Sequence, residues 1–264
     1  LVGVWAAWGR VPLNIQVHGP LFDSAFVSES LRHRVESLVA RFVLRYATCV
    51  RVVSEKTRAA AARATRAPIT VLPIAAETKQ FDAVYPRPHE YGNAPVILAA
   101  SRLSKEKHIT SILDALVAVP KAELYIAGDG PERSTLSAYA AALGLTDRVH
   151  FLGFKNPIAP YMQHASVVVH ASRYESYCLT LVEAVLSRVP VVTTDVGIAR
   201  QLPPETVRII EGGSETLAHA LAETLEHPPD AAALAEARVR CTRTLLTSEE
   251  TSRQFLESLK TCRI

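Results

Sequence analysis

Two glutamates stand eight positions apart in the stretch SRYESYCLTLVEAVLSRVPVVTTDVG, Ser172 to Gly197: Glu175 and Glu183. Glu175 falls in a loop after the apolar run SVVVHAS. Glu183 falls about two turns into the helix predicted to follow. Ser176 precedes that helix, and the backbone amides of Tyr177, Cys178, Leu179 and Thr180 open it. The positive end of the helix macrodipole lies behind those amides, where an anionic group is favoured. A carboxylate on the helix flank can hold the two hydroxyls of a ribose; one ahead of the helix can hold sugar hydroxyls. The plainer reading of Glu175 is a favourable charge at a helix start, worth about 0.3–1 kcal/mol. Glu183 resists such a reading. Its neighbours Val182, Val185 and Leu186 are apolar, and a carboxylate among them needs a partner.

Three other places carry residues of the same kind. In AASRLSKEKHIT, Arg102 lies just past a predicted strand and Lys107 just before a predicted helix. Two fixed cations there form either a pyrophosphate site or a pair of solvated loop charges. In LYIAGDGPERS, Gly128 and Gly130 lie between a strand and a helix. A dinucleotide fingerprint needs a third glycine that is not present, so this GxG reads equally well as a tight turn, and a dehydrogenase is disfavoured. In VHG, His18 ends a strand, where a lone histidine is more often a turn residue than a catalyst.

The elements that position these residues follow from the hydrophobic pattern. LNIQVH, CVRVVS and PITVLPI read as strands near the start of the chain. Residues 28–47 read as one amphipathic helix, with Leu31, Val35, Leu38, Val39, Phe42 and Tyr46 at helical spacing and arginines between them. Residues 76–95 hold four breakers and no periodicity, and read as a linker. From there strands and helices alternate as far as PVVTTD, and the strands are runs of Val, Ile and Leu. That pattern predicts an α/β fold with a doubly wound parallel sheet covered on both faces. The boundaries expected are 1–80 for a first domain, 81–95 for the linker, 96–245 for a second domain and 246–264 for a terminal helix packing back on the first. Ligands in such sheets sit at the carboxyl ends of the strands, where the strand order reverses.

With 264 residues, 48% hydrophobic and 21% charged, the chain can bury a substantial core. A net charge of +3 is too mild to imply nucleic acid. The four cysteines show no metal-ligand or CxxC spacing, which predicts reduced thiols and a cytoplasmic setting. No apolar run is long enough to span a membrane, and LVGVWAAWG lacks the form of a signal peptide. The chain begins with Leu1 and its one methionine is Met162, so part of a longer reading frame or a processed product is expected.

Taken together, these stretches resemble the retaining glycosyltransferases of family 4, the group 1 glycosyltransferases of the GT-B fold. The segment from Glu175 through EAVLSRVPVVTTDVG carries the resemblance furthest. SRLSKEK is similar to the family's G-R-L-x-x-E-K-G, and LYIAGDGPE, HFLGF, VHG, VRVVSE and VLPIAAETKQF follow the family's order. The resemblance implies two Rossmann-like domains, the first incomplete because family members carry a further half-domain ahead of LVGVWAAWG. It implies a nucleotide-sugar donor, UDP- or GDP-linked, with no metal and no other cofactor. Arg102 and Lys107 would neutralise the donor diphosphate and Glu183 would bind the ribose. Glu175 and the amides around Tyr177–Leu179 would hold the sugar, His18 would lie near sugar and acceptor, and the loop Gly153–Asn156, with Phe154, would touch the base.

Partners implied are a glycan or lipid-linked acceptor and a peripheral contact of the basic helix 28–47 with the inner membrane surface; a core-packed helix is the alternative. Ser101, His108, Cys178, Arg188 and Ile198 replace residues that are commonly glycine in the family. A non-glycine held in a left-handed conformation costs on the order of 1 kcal/mol. Two further readings stay open: a nucleotide-sugar-binding module without turnover, and a sugar-nucleotide epimerase on the same fold.

Overall fold

The structure, a computed structural model, describes residues 13–260. The chain divides into two compact units. One comprises the chain up to Ala76, Tyr174–Tyr177 and the segment from Leu245; the other comprises Glu77–Arg173 and Cys178–Thr244.

The first unit contains β1 (Asn14–Val17), α1 (Ser24–Glu29), α2 (Leu31–Leu44), β2 (Cys49–Val52), α3 (Glu55–Ala61) and β3 (Ile69–Val71). The three strands are parallel in the order β1-β2-β3. Val17, Leu44, Val50, Val52 and Ala61 form the core of the unit. The single helix predicted over 28–47 is interrupted at Ser30, whose backbone is extended and whose side chain accepts a hydrogen bond from the His33 amide at 3.1 Å. Serine there satisfies an orphan donor and starts a new helix, α2. The apolar stripe of α2 is exposed rather than core-packed: Leu31 is 77% accessible, and Val35, Leu38 and Phe42 are more than half accessible. The C-terminal helix Ser248–Lys260 belongs to this unit, and the Arg51 guanidinium of β2 lies 5.3 Å from the centre of the Phe255 ring. Cys49 is disulfide-bonded, which corrects the expectation of four reduced thiols, while Cys178 and Cys241 are free. Spacing motifs report on local cysteine pairs and are silent about bonds between distant segments.

The second unit contains β4 (Val96–Ala100), α4 (Ile109–Val117), β5 (Glu123–Ala127), α5 (Arg133–Ala142), β6 (Val149–Gly153), α6 (Ala159–Gln163), β7 (Val167–His170), α7 (Leu179–Leu186), β8 (Val191–Thr194), β9 (Val207–Ile210), α8 (Ser214–Glu226) and α9 (Ala231–Thr244). Its strands form one parallel sheet in the order β6-β5-β4-β7-β8-β9. The chain starts in the middle, winds outward to β6, returns to β7 and winds outward again. The order therefore reverses between β4 and β7, the position at which doubly wound sheets bind ligands. Every residue of β4 and β7 is buried, which is why these strands read as continuous apolar runs.

The stretch 81–95, read as a linker, is packed onto this unit. Phe81 and Tyr91 are buried, the Tyr91 hydroxyl donates to the Tyr161 carbonyl at 2.9 Å, and the Gly92 amide donates to the Tyr125 hydroxyl at 2.9 Å. Aromatic anchors, not periodicity, fix this segment. Among the described residues, no helix is long and apolar enough to cross a membrane.

Candidate functional site

A cleft of about 500 Å³ opens at the carboxyl ends of β4 and β5 in the second unit. It is lined by Arg102 from the loop after β4, Gly128 and Asp129 from the loop after β5, Phe154 and Lys155 from the loop after β6, and Thr180 and Glu183 from α7.

Backbone contacts hold the loops together. The Ser101 amide donates to the Ala127 carbonyl at 3.0 Å, and the Leu103 amide donates to the Asp129 carbonyl at 2.9 Å. This close approach explains the two glycines. A Cβ on Gly128 would stand 1.8 Å from the Ser101 carbonyl oxygen, and one on Gly130 would stand 2.3 Å from that of Leu103. Both glycines therefore permit the contact between two strand-end loops; they do not form a dinucleotide fingerprint. The Thr180 hydroxyl donates to the Ala100 carbonyl at 3.1 Å and so pins the first turn of α7 to the end of β4. The Arg173 amide donates to the Glu106 carbonyl at 2.9 Å, which ties the loop after β7 to the loop after β4.

The carboxylate of Glu183 is the decisive group. Glu183 is the fifth residue of α7, about one turn into the helix rather than two. Its side chain is partly buried among Val182, Ala184 and Val185, and among the described residues it makes no hydrogen bond or ion pair. Burial raises its pKa above the ordinary glutamate value. A desolvated acceptor facing a cleft is a group prepared for hydroxyl donors from a ligand.

Arg102 places an exposed cation at the cleft wall. Lys107 lies on the 3-10 turn Lys105–Lys107, just ahead of α4, and is not part of the cleft lining. Cys178 precedes α7 with φ 74°, and His108 precedes α4 with φ 51°. These two and Arg188, at φ 60°, are the non-glycine residues with positive φ among the described residues. All three stand at positions where the sequence departs from glycine. Ile198, at φ −102°, is in no left-handed conformation. Buried Cys178 has its Sγ 3.3 Å from His170 Nε2.

The remaining sequence-predicted residues lie in the first unit. His18 follows β1, with Nε2 3.1 Å from Gln16 Oε1; partial burial, then the charge of Arg51, lowers its pKa. Glu175 and Ser176 line a smaller cavity of about 220 Å³ in this unit, and Tyr177 is buried.

Lys155 enters the sequence reading only as part of the loop Gly153–Asn156, and Gln80 is given no role in it. Lys155 Nζ donates to Glu90 Oε1 at 2.9 Å and lies 5.0 Å from the centre of the Tyr161 ring, which also orients Glu90 through its hydroxyl at 2.9 Å. Gln80 lines the cleft with its Oε1 buried and unpartnered. No spacing signal marks either one; each depends on a contact between segments about 70 residues apart or on a cleft wall formed by the fold.

A parallel, doubly wound sheet with a cation, a helix N-terminus and an unpartnered carboxylate near its reversal point defines an α/β protein with a cleft where such folds take ligands. The family model for glycosyl transferases group 1 matches residues 83–240, more than half of the chain, and the protein belongs to that family. The 2-deoxystreptamine glucosyltransferase of Streptomyces kanamyceticus is 29% identical over 209 residues, covering 71% of this chain and 54% of that protein. The alpha-D-kanosaminyltransferase of the same organism is 27% identical over 241 residues, covering 83% of this chain and 62% of that protein. The chain spans about half the length of the curated relatives it matches. Among solved structures, Anabaena Alr3699/HepE in complex with UDP and glucose superposes with a TM-score of 0.80 at 24% identity, covering 98% of this chain and 75% of that one. Sucrose-phosphate synthase (tll1590) of Thermosynechococcus elongatus gives a TM-score of 0.80 at 21% identity, covering 98% and 71%. The fold is that of the GT-B glycosyltransferases.

Proposed function

We propose that the protein is a retaining glycosyltransferase that moves a hexose-type sugar from a UDP- or GDP-linked donor to a glycan or lipid-linked acceptor. The observation that carries this reading is Glu183, a desolvated carboxylate without a partner among the described residues, in a cleft at the reversal point of the sheet. Its two oxygens suit the vicinal hydroxyls of a ribose. Arg102 and the first-turn amides of α7 then face the diphosphate, and Phe154, 79% accessible at the cleft mouth, offers its ring to the base.

Cleaving the sugar–phosphate bond develops negative charge on the leaving diphosphate. Arg102, Lys107 and the helix N-terminus stabilise that charge where it forms, and fixed donors in place before reaction need no reorganisation. No metal is required in this scheme, because protein cations supply the positive charge. The acceptor attacks from the face the diphosphate leaves, and the departing phosphate takes its proton. Glu175 and His18 serve the sugar and the acceptor.

HepE was solved with UDP and glucose, and alpha-monoglucosyldiacylglycerol synthase of Streptococcus pneumoniae is 33% identical over 141 residues. These relatives support a nucleotide-sugar donor and a lipid-linked acceptor. The exposed stripe of α2, flanked by Arg32, Arg34, Arg41 and Arg45, suits contact with an anionic membrane surface from the cytoplasmic side. Its sedimentation with anionic vesicles, lost at high salt, would support that contact; equal sedimentation with neutral vesicles would remove it.

A sugar-transfer assay that measures released nucleoside diphosphate tests the activity. Lys107→Ala and Glu183→Ala are expected to lose most transfer, and near-normal turnover in either overturns the assignment. The three left-handed non-glycine residues favour a second reading, a module that binds the donor without turning it over; tight UDP binding with no transfer would select it.

A further inference from the structure

Two buried side chains of the second unit have no part in the proposed transfer. His170 ends β7, and Cys178 immediately precedes α7, with its Sγ 3.3 Å from His170 Nε2. Cys178 has φ 74° and ψ 78°, a left-handed conformation that glycine takes freely and other residues take at a cost. The thiol does not cap α7, so the strain is not offset by holding the helix.

Cys241 provides an internal comparison. It is the other free cysteine among the described residues and lies inside α9, where burial pushes its pKa up to about 11. A thiol so placed stays protonated and unreactive. Cys178 is buried as well, but two features set it apart. An imidazole nitrogen is within reach of its proton, and the amide end of an eight-residue helix adjoins it. Nucleophilic cysteines are made by that combination of a base and a helix N-terminus.

We infer that Cys178 and His170 form a peroxide-reactive thiol pair, a modification site whose oxidation weakens ligand binding in the adjoining cleft. The thiol gives its proton to His170 Nε2 and the sulfur attacks one oxygen of hydrogen peroxide. The O–O bond breaks, and the leaving hydroxide takes the proton from the imidazolium. Cys–SH and H₂O₂ thus become Cys–SOH and water, with sulfur oxidised by two electrons and peroxide reduced by two. The added oxygen enters a position that is 8% accessible, so the turn at Cys178 has to shift to admit it. Thr180 and Glu183, on the first turns of the same helix, line the cleft, and the Thr180 hydroxyl ties that helix to the Ala100 carbonyl. A shift at Cys178 therefore moves the cleft wall. The effect on binding rests on the proposed donor site; the reactivity of the thiol stands on the pair alone.

Treatment of the native protein with hydrogen peroxide, trapping of sulfenic acid with dimedone and peptide mass mapping test the pair. Cys178 should be labelled about tenfold or more faster than Cys241 in the same molecule. His170→Asn should slow labelling of Cys178 about tenfold and leave Cys241 as it was. Calorimetry with UDP tests the consequence. Oxidised protein should bind UDP about tenfold more weakly, dithiothreitol should restore it to the level of untreated protein given the same reductant, and Cys178→Gly should show no change between its own treated and untreated samples. Equal labelling of the two thiols, or an unchanged Cys178 rate in His170→Asn, overturns the reactive pair. Unaltered UDP affinity with Cys178 fully oxidised, or a peroxide effect that persists in Cys178→Gly, overturns the link to the cleft. Absence of UDP binding by untreated protein refutes the donor reading and with it that link, while the labelling rates still decide the pair.

Discussion

Replacing Glu183 by glutamine is expected to make the protein more stable and worse at binding nucleotide. The side chain is desolvated, with no hydrogen-bond donor among the described residues. In the free protein its charge is a liability. Its folded pKa is raised above the ordinary value of 4.5, so the folded state binds a proton more readily than the unfolded state. Stability from this group is therefore fully present below about pH 4.5 and is lost as pH rises through the folded pKa. At pH 7.5 the neutral amide should stabilise the fold by about 1 kcal/mol, and the gain should shrink toward pH 4.5. Binding should move the other way. A hydrogen bond to a charged group contributes about 1.5–3 kcal/mol, so Glu183→Gln should weaken UDP about 10- to 150-fold. The wild type should also prefer UDP to dUDP, and the variant should lose most of that preference, because the amide offers one neutral acceptor oxygen where the carboxylate offers two charged ones. Urea unfolding at two pH values and calorimetry with the two nucleotides measure all of this. UDP affinity within twofold of wild type, or an undiminished preference over dUDP, would refute the assignment of Glu183 to the ribose.

Gly130→Ala should cost about 2–4 kcal/mol, because its Cβ would stand 2.3 Å from the Leu103 carbonyl oxygen; a urea midpoint equal to wild type would show that the two loops can part freely. Arg188 sits at φ 60° just past α7, where its amide donates to the Val185 carbonyl and the Val189 amide donates to that of Ala184, the double bond pattern that favours glycine. Arg188→Gly should stabilise by about 1 kcal/mol, or raise Tm by about 2–4 °C, and a lower Tm would contradict the strain. Lys155, first among several groups, holds the Glu90 carboxyl down at about 2. Its stabilisation is present above the ordinary 4.5 and lost as pH falls toward 2, so Glu90→Gln should flatten the acid limb of the stability profile; an unchanged acid limb would show the pair to be inert.

The strands were legible because their burial on both faces leaves continuous apolar runs, as in β4 and β7. The helix over 28–47 was legible as a helix, but its break at Ser30 depends on a side-chain cap, and its periodic stripe says only that one face differs, not what covers it. In the stretch 81–95 proline and glycine signal only broken periodicity, whereas its place is set by Tyr91 and Glu90 contacting residues far along the chain. Gly128 and Gly130 showed a turn; the reason for them lies in the neighbouring loop, which no local pattern contains. Glu183 was legible because a carboxylate in an apolar helix is a chemical contradiction on its face. Gln80 was not, since glutamine in a polar segment contradicts nothing.

The three left-handed non-glycine residues sort the strain by position. Arg188 ends α7 and is exposed, so its cost has no evident return and a glycine there should be harmless. His108 and Cys178 are different. Each is the residue from which a helix starts, α4 and α7 respectively, and neither supplies a side-chain cap to that helix. Both helices begin beside the carboxyl end of β4, where the Thr180 hydroxyl and the Glu106 carbonyl fix the loops. A left-handed residue at such a point turns the chain sharply enough for the first helical amides to face outward without a cap occupying them. At α7, whose Thr180 lines the cleft, such strain is the pattern expected of a binding site rather than of imperfect packing; α4 contributes no residue to the cleft lining. The same feature elsewhere in the chain, at Arg188, lacks a cleft and so lacks that explanation.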